Sequence, residues 1–113
     1  MSTDAKTVAF IVEQAAMVGA VSAKPMFGEY GLYHDGKMVA MVCDNQLFVK
    51  PTSLGRAFAP EAKEAPPYPG AKACLLIDPE RWDGGEWMSE LFRISSTQLP
   101  LPKRKAKREA KRG

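Results

Sequence analysis

Histidine is nearly absent from this chain: His34 is the only one among 113 residues. General acid–base work needs an imidazole with a positioned partner, whereas His34 directly precedes Asp35-Gly36, where small polar residues serve conformation. It is read as a turn residue. Cysteine is almost as scarce. Cys43 and Cys74 lie in apolar stretches with thirty residues between them and no CxxC or Cys-His spacing, so zinc is not expected and both are read as free thiols. An apolar strand around Cys43 would keep that thiol neutral and unreactive. The expectation is therefore a non-enzymatic protein with no catalytic residue, no metal and no cofactor. Long apolar runs are missing as well. Asp4, Lys6 and Glu13 interrupt the first twenty residues, which argues against a signal core or a membrane span there. Cytoplasm is the expected location, with no membrane partner.

A further deficit concerns positive charge, which the folded part lacks. Residues 103–113 hold seven Lys or Arg and one Glu, giving +6, and residues 1–102 hold the other nine Lys or Arg and twelve Asp or Glu, giving −3. The basic pI therefore belongs to the end of the chain. Residues 1–98 are expected to form one domain and residues 99–113 an extended, disordered basic tail, because LPLP followed by self-repelling cations cannot bury a core. The cations Lys103, Arg104, Lys105, Lys107, Arg108, Lys111 and Arg112 are the candidate nucleic-acid contacts. They could neutralise phosphates without reading sequence, or serve only to solubilise the protein.

What remains is enough apolar residue, 45%, for one modest core. Val8, Ile11, Val12, Ala15 and Ala16 recur at helical spacing, with Asp4 as N-cap and Gly19 as C-cap. From Pro25 the pattern turns to β-rich runs: Met26 to Tyr33, then Lys37 to Cys43, then Gln46 to Lys50. Asp35-Gly36 suits a type I′ hairpin turn, Asp44-Asn45 makes the next turn, and Pro51 ends the third strand. Lys37–Cys43 is apolar on both faces and is expected to be central. A short helix is expected over residues 53–64, presenting Leu54, Ala57 and Phe58. A break follows over residues 65–70, then a strand over 71–78. Beyond Gly84-Gly85 a last helix carries Trp87, Met88, Leu91 and Phe92 on one face, with Glu86 in its first turn.

Two motifs imitate known binding loops. Gly28 and Gly31 lack the strand-to-helix context and the lysine of a phosphate loop. MFGEYGLY and LFVKP are faintly similar to the two aromatic strands of the RNA recognition motif, but in the wrong order and without the basic opening. Phe27, Tyr30, Tyr33 and Phe48 are read instead as core, hairpin-packing or dimer-contact residues.

At MFGEYGLYHDGKMVAMVCDNQLFVKPT the sequence resembles the TfoX N-terminal domain family (TfoX/Sxy). The features that carry the resemblance are Met26-Phe-Gly28, the tyrosines and glycine at 30–33, Asp35-Gly-Lys37 and Leu47-Phe-Val-Lys50. PPYPGAK (66–72), LLIDPE (75–80) and a terminal LP with cations extend it over nearly the whole chain. The resemblance implies an α+β, two-layer fold, an antiparallel sheet with flanking helices, similar in class to secretion chaperones. It also implies a link to competence and transcriptional regulation, in which full-length members act beside a cyclic-AMP receptor protein and carry a C-terminal domain for which this chain has no room. The family supplies no catalytic residue to carry over.

The leading functional expectation is a regulatory or adaptor domain that binds a protein partner, with homodimerisation and weak nonspecific nucleic-acid contact through the tail as further expectations. Two alternatives stand beside it. One is a nucleic-acid binder acting through the tail alone. The other is a small-ligand protein or enzyme using the first hairpin, where Tyr30, Tyr33, His34 and Cys43 gather.

Overall fold

The computed structural model describes residues 3–16, 21–26, 29–34 and 36–99. In chain order these form α1 (Ala5–Ala15), β1 (Val21–Met26), β2 (Glu29–His34), β3 (Lys37–Cys43), β4 (Gln46–Val49), α2 (Ser53–Phe58), β5 (Lys63–Ala65), β6 (Cys74–Ile77), a short 3-10 helix (Pro79–Arg81) and α3 (Gly85–Gln98). The strands make one sheet of six in the order β1-β2-β3-β4-β6-β5, every pair antiparallel. The fold is α+β, an open antiparallel sheet with three helices, as the resemblance implied. Of the expected tail, residues 100–113, with every candidate nucleic-acid residue from Lys103 to Arg112, lie outside the described residues.

The first helix forms where the apolar spacing places it and buries Val8, Ile11 and Ala15. Asp4 occupies the N-cap with extended backbone but makes no side-chain cap bond; its own N–H donates to Asn45 Oδ1 at 2.8 Å. The helix ends earlier than expected, at Ala15 with Ala16 as its C-cap, and not at Gly19, which lies outside the described residues.

Three differences from the sequence pattern have physical reasons. Residues 26–33 are not one strand: Met26 ends β1 and pairs with Glu29, which begins β2. VSAKPM lacks the apolar density of a strand and contains Pro25, yet it can pair because it lies at the sheet edge, where a missing donor is tolerated. Of residues 53–64 only Ser53–Phe58 are helical. Thr52 caps that turn by accepting from Gly55 N–H at 2.9 Å, and Lys63–Ala65 instead form the second edge strand. The strand expected over 71–78 shortens to Cys74–Ile77.

The hairpin turns follow from residue chemistry. Cys43 pairs with Gln46 across Asp44 and Asn45, whose φ angles of 54° and 59° are those of a type I′ turn. His34 pairs with Lys37 across two residues, of which Gly36 has φ 77°, while Asp35 lies outside the described residues.

A bulge decides which apolar side chains of β3 reach the core. Leu32 pairs with Ala40 but Tyr33 pairs with Met38, so the register passes over Val39. Val39, Ala40 and Val42 consequently join the helix-side core, while Met41 and Cys43 join a second cluster on the other face and Met38 packs against it. The helix-side core unites Val8 and Ile11 of α1, Leu32, Leu47, Leu75 and Ile77 of the sheet, and Met88, Leu91 and Phe92 of α3. Burying one such side chain contributes about 1.5–3 kcal/mol, so this face carries most of the stability. The second cluster is smaller: Met41, Cys43, Phe48 and Cys74, with Met26, Met38, Ala65 and Leu76 half-buried against them.

Candidate functional site

Among the described residues, Tyr30, Tyr33, His34 and Cys43 of the first hairpin do not converge on one face. Tyr30 packs on the helix-side core, whereas Tyr33, three residues on and therefore on the opposite face, lies under Lys24, whose Nζ is 5.0 Å from the ring centroid. His34 closes β2 opposite Val21 and Lys37. Cys43 is buried in the second cluster, beside the β3–β4 turn. The four residues are thus divided between two faces and several levels of the sheet.

Both thiols are free and buried. Burial, helped by the nearby Glu29 carboxylate, pushes the Cys43 thiol up to about 11. Burial also raises Cys74, against a smaller lowering by Lys50; its Sγ donates to Lys72 O at 3.7 Å. A nucleophilic thiol needs the opposite environment.

A recognisable concavity lies at the other end of the sheet, beside β5, β6 and the start of α3. It is built outward from β6. Leu76 and Ile77 bring the chain to Asp78, whose Oδ1 accepts from Glu80 N–H at 3.0 Å and so caps the 3-10 helix; Pro79 at the first position suits that turn. The turn places Trp82 so that its Nε1–H donates to Ile77 O at 3.2 Å. Gly84 N–H then donates to Arg81 O at 3.1 Å, and α3 begins at once, carrying Trp87. Between these elements and the loop before β5 lies a cleft of about 520 Å³, a volume within the range of ligand and side-chain pockets.

The lining combines apolar floor and charged rim. Leu76, Ile77, Trp82 and Trp87 supply the apolar surface, and Glu61, Glu80 and Asp78 supply carboxylates against Lys63 and Arg81. Arg81 is held twice: Nη2 pairs with Glu61 Oε2 at 2.6 Å, and the guanidinium lies 4.5 Å from the Trp87 ring centroid. Trp87 is backed by Phe58, with ring centroids 5.4 Å apart. The Arg81–Glu61 pair is about half exposed on both sides, so it contributes only about 0–1 kcal/mol and can exchange with an incoming charged group. Neither thiol, nor His34, lines the cleft. Among the described residues no group of three or more His, Cys, Asp or Glu is arranged to hold a metal ion.

The helical spacing puts Trp87 on the apolar face of the last helix, and the local pattern marks neither Trp82, Arg81 nor Glu61 as a site residue. The available signal was the spacing in RWDGGEW, two tryptophans around a glycine pair directly after a capped turn. Glu61 carried no signal, because only the tertiary fold brings it to Arg81, twenty positions away.

Two comparisons bear on this geometry. The model of the TfoX N-terminal domain family matches residues 13–99, most of the chain and all of the sheet. The chain is also 43% identical over 108 residues, 95% of its own length and 93% of the other, to a Spirochaeta aurantia protein described as an uncharacterized 12.7 kDa protein in the trpE 5′ region.

Proposed function

This chain belongs to the TfoX N-terminal domain family, and from that premise we propose that it is a non-enzymatic regulatory or adaptor domain that recognises a segment of a protein partner in the cleft beside β6 and α3. The observation that carries this reading is the composition of the cleft. Its two tryptophans, aliphatic floor and carboxylate rim suit the side chains of a peptide, while the thiols that could act as nucleophiles are buried elsewhere with raised pKa values. The setting we propose is transcriptional or competence regulation in the cytoplasm, with the protein as a homodimer and with Lys103, Arg104, Lys105, Lys107, Arg108, Lys111 and Arg112 adding weak, sequence-blind contact to nucleic acid.

The test is affinity capture of the intact chain from its native cytoplasm after nuclease treatment, followed by reconstitution with the purified partner. A Trp82→Ala/Glu80→Lys variant that keeps its circular dichroism spectrum should lose at least about tenfold in affinity, equivalent to one good anchor residue. Undiminished binding by that variant would remove the cleft from the recognition surface.

A further inference from the structure

The carboxylates around the cleft exceed the cations available to them. The rim carries Glu61, Asp78 and Glu80 against Lys63 and Arg81, and Asp83, Glu86 and Glu90 follow in the next sequence positions, with no further cation before Arg93. Arg81 is taken by Glu61, and Glu90 is taken by Arg93, the residue three positions on. Glu80, Asp83 and Glu86 are exposed and form no ion pair among the described residues. Uncompensated charge of one sign at the rim of an apolar cleft attracts the other sign. The indole surface adds a second reason: Arg81 over Trp87 shows that a guanidinium is accommodated against an aromatic face here.

The same chain ends in the complementary charge. Its cations are seven within eleven residues, and the body that precedes them carries −3. Their attachment point also permits contact. Trp87 stands twelve residues before Leu99 on α3, a distance of about 18 Å along a helix. An extended chain covers about 3.3 Å per residue, so Lys105 reaches about 20 Å from Leu99 and the cations after it reach further. The loop to be closed is short, so the local concentration of the tail at the cleft is in the millimolar range.

We propose that residues 103–112 of this chain dock on its own cleft, their lysines and arginines against Asp78, Glu80 and the flanking Asp83 and Glu86, with an aliphatic stem or guanidinium against Trp82. Docked in this way the tail occupies the surface on which a partner segment would bind, and its cations are withdrawn from any nucleic acid. The proposal rests on the reading of the cleft as a peptide-recognition surface. A partner then has to displace the tail, which makes the tail an internal competitor whose hold weakens as salt rises.

The intact chain provides its own probes. Zero-length carbodiimide coupling of an equal mixture of unlabelled and ¹⁵N-labelled protein should join Lys103, Lys105, Lys107 or Lys111 to Asp78, Glu80, Asp83 or Glu86 within one isotopic species, with yield falling at least about tenfold when salt is raised to about 0.5 M. Trp82 and Trp87 are the only two tryptophans, so emission reports the cleft directly. It should change with salt in the native chain and stay constant in a full-length variant whose seven tail cations are replaced by glutamine. That variant should in turn bind the free peptide KRKAKREAKRG with saturable quenching. Coupling that is spread equally over Glu13, Asp44 and the cleft carboxylates, or that joins only mixed isotopic species, overturns docking in cis. If coupling fails in this way while the free peptide still quenches, the cleft survives as a recognition surface and only the internal docking is lost. Emission indifferent to both salt and peptide overturns both.

Discussion

Lys37 donates from Nζ to the carbonyl oxygen of Ser96 at 2.8 Å, tying the start of β3 to the last turn of α3. The bond is partly buried, joins residues 59 apart in sequence, and places a cation where the helix dipole is negative. A charge-assisted hydrogen bond of this kind is worth about 1.5–3 kcal/mol. Lys37→Met keeps the stem and removes the donor, so urea unfolding should show a loss in that range with an unchanged m-value. A midpoint equal to the parent's would mean that the contact contributes nothing.

Gly36 has φ 77°, a region that costs an L-residue about 1–2 kcal/mol and a β-branched one more. Gly36→Val should therefore lower the melting temperature by several degrees, since about 1 kcal/mol shifts a domain of this size by about 4–8 °C. Gly36→Asn should recover much of the loss, because asparagine tolerates the left-handed region. Equal melts for the valine variant and the parent would contradict the turn geometry.

Gly55 of α2 packs against Ser95 of α3. A Cβ on Gly55 would stand 2.8 Å from Thr52 Oγ1 and 3.1 Å from Ser95 Oγ, so Gly55→Ala should destabilise by about 1–3 kcal/mol through overpacking and loss of the Thr52 cap. Ser95 Oγ is buried without a hydrogen-bond partner, and Ser95→Ala removes a desolvated hydroxyl, so it should be neutral or stabilising by up to about 1 kcal/mol. Combined, the two changes should fall short of the sum of their separate costs. Denaturant titrations of the three variants measure this, and strict additivity would argue against the contact.

Cys43 supplies a prediction in pH. Its folded thiol is raised from the ordinary 9.0 to about 11 by burial, so the folded state holds the proton more tightly than the unfolded chain does. Its contribution to stability is complete below pH 9 and is lost as pH rises from there toward 11. Native protein should accordingly react slowly with iodoacetamide at pH 8, and unfolded protein should take up two equivalents. Fast single-site labelling of the native state would show that Cys43 is not held neutral.

For nucleic acid, the slope of log affinity against log salt on duplex DNA should approach about −0.9 per neutralised phosphate, with at most seven contacts available from Lys103 to Arg112. The full-length variant with those cations replaced by glutamine should show no appreciable binding near physiological salt. Filter binding across a salt series measures both quantities, and strong binding by the variant would move the site onto the folded body.

Elements whose signals are local were legible in the sequence. The apolar stripe of α1, the glycine at 36, the Asp44-Asn45 turn and the apolar density of β3, β4 and β6 each depend on neighbours within a few residues, and α3 was placed by its 3.6-residue period. The edge strands β1 and β5 were not legible. VSAKPM and KEA are polar or proline-bearing and pair only because β2 and β6 offer them a free edge. The alternation within β3 was hidden for a related reason, since the bulge at Val39 is a property of its pairing with β2.

The sequence by itself determined the division of charge between residues 1–102 and 103–113, the helix and hairpin periodicities, and the family to which the chain belongs, because each is written in residue order and spacing. The tertiary structure alone decided that it is Tyr30 whose face meets the helix-side core, that Cys43 is buried in the second cluster, and that Glu61, Arg81, Trp82 and Trp87 share one cleft. Those relationships depend on strand order and on contacts between residues far apart in the chain. No local propensity encodes them, and they exist only once burial of the common core has brought β5, β6 and α3 together.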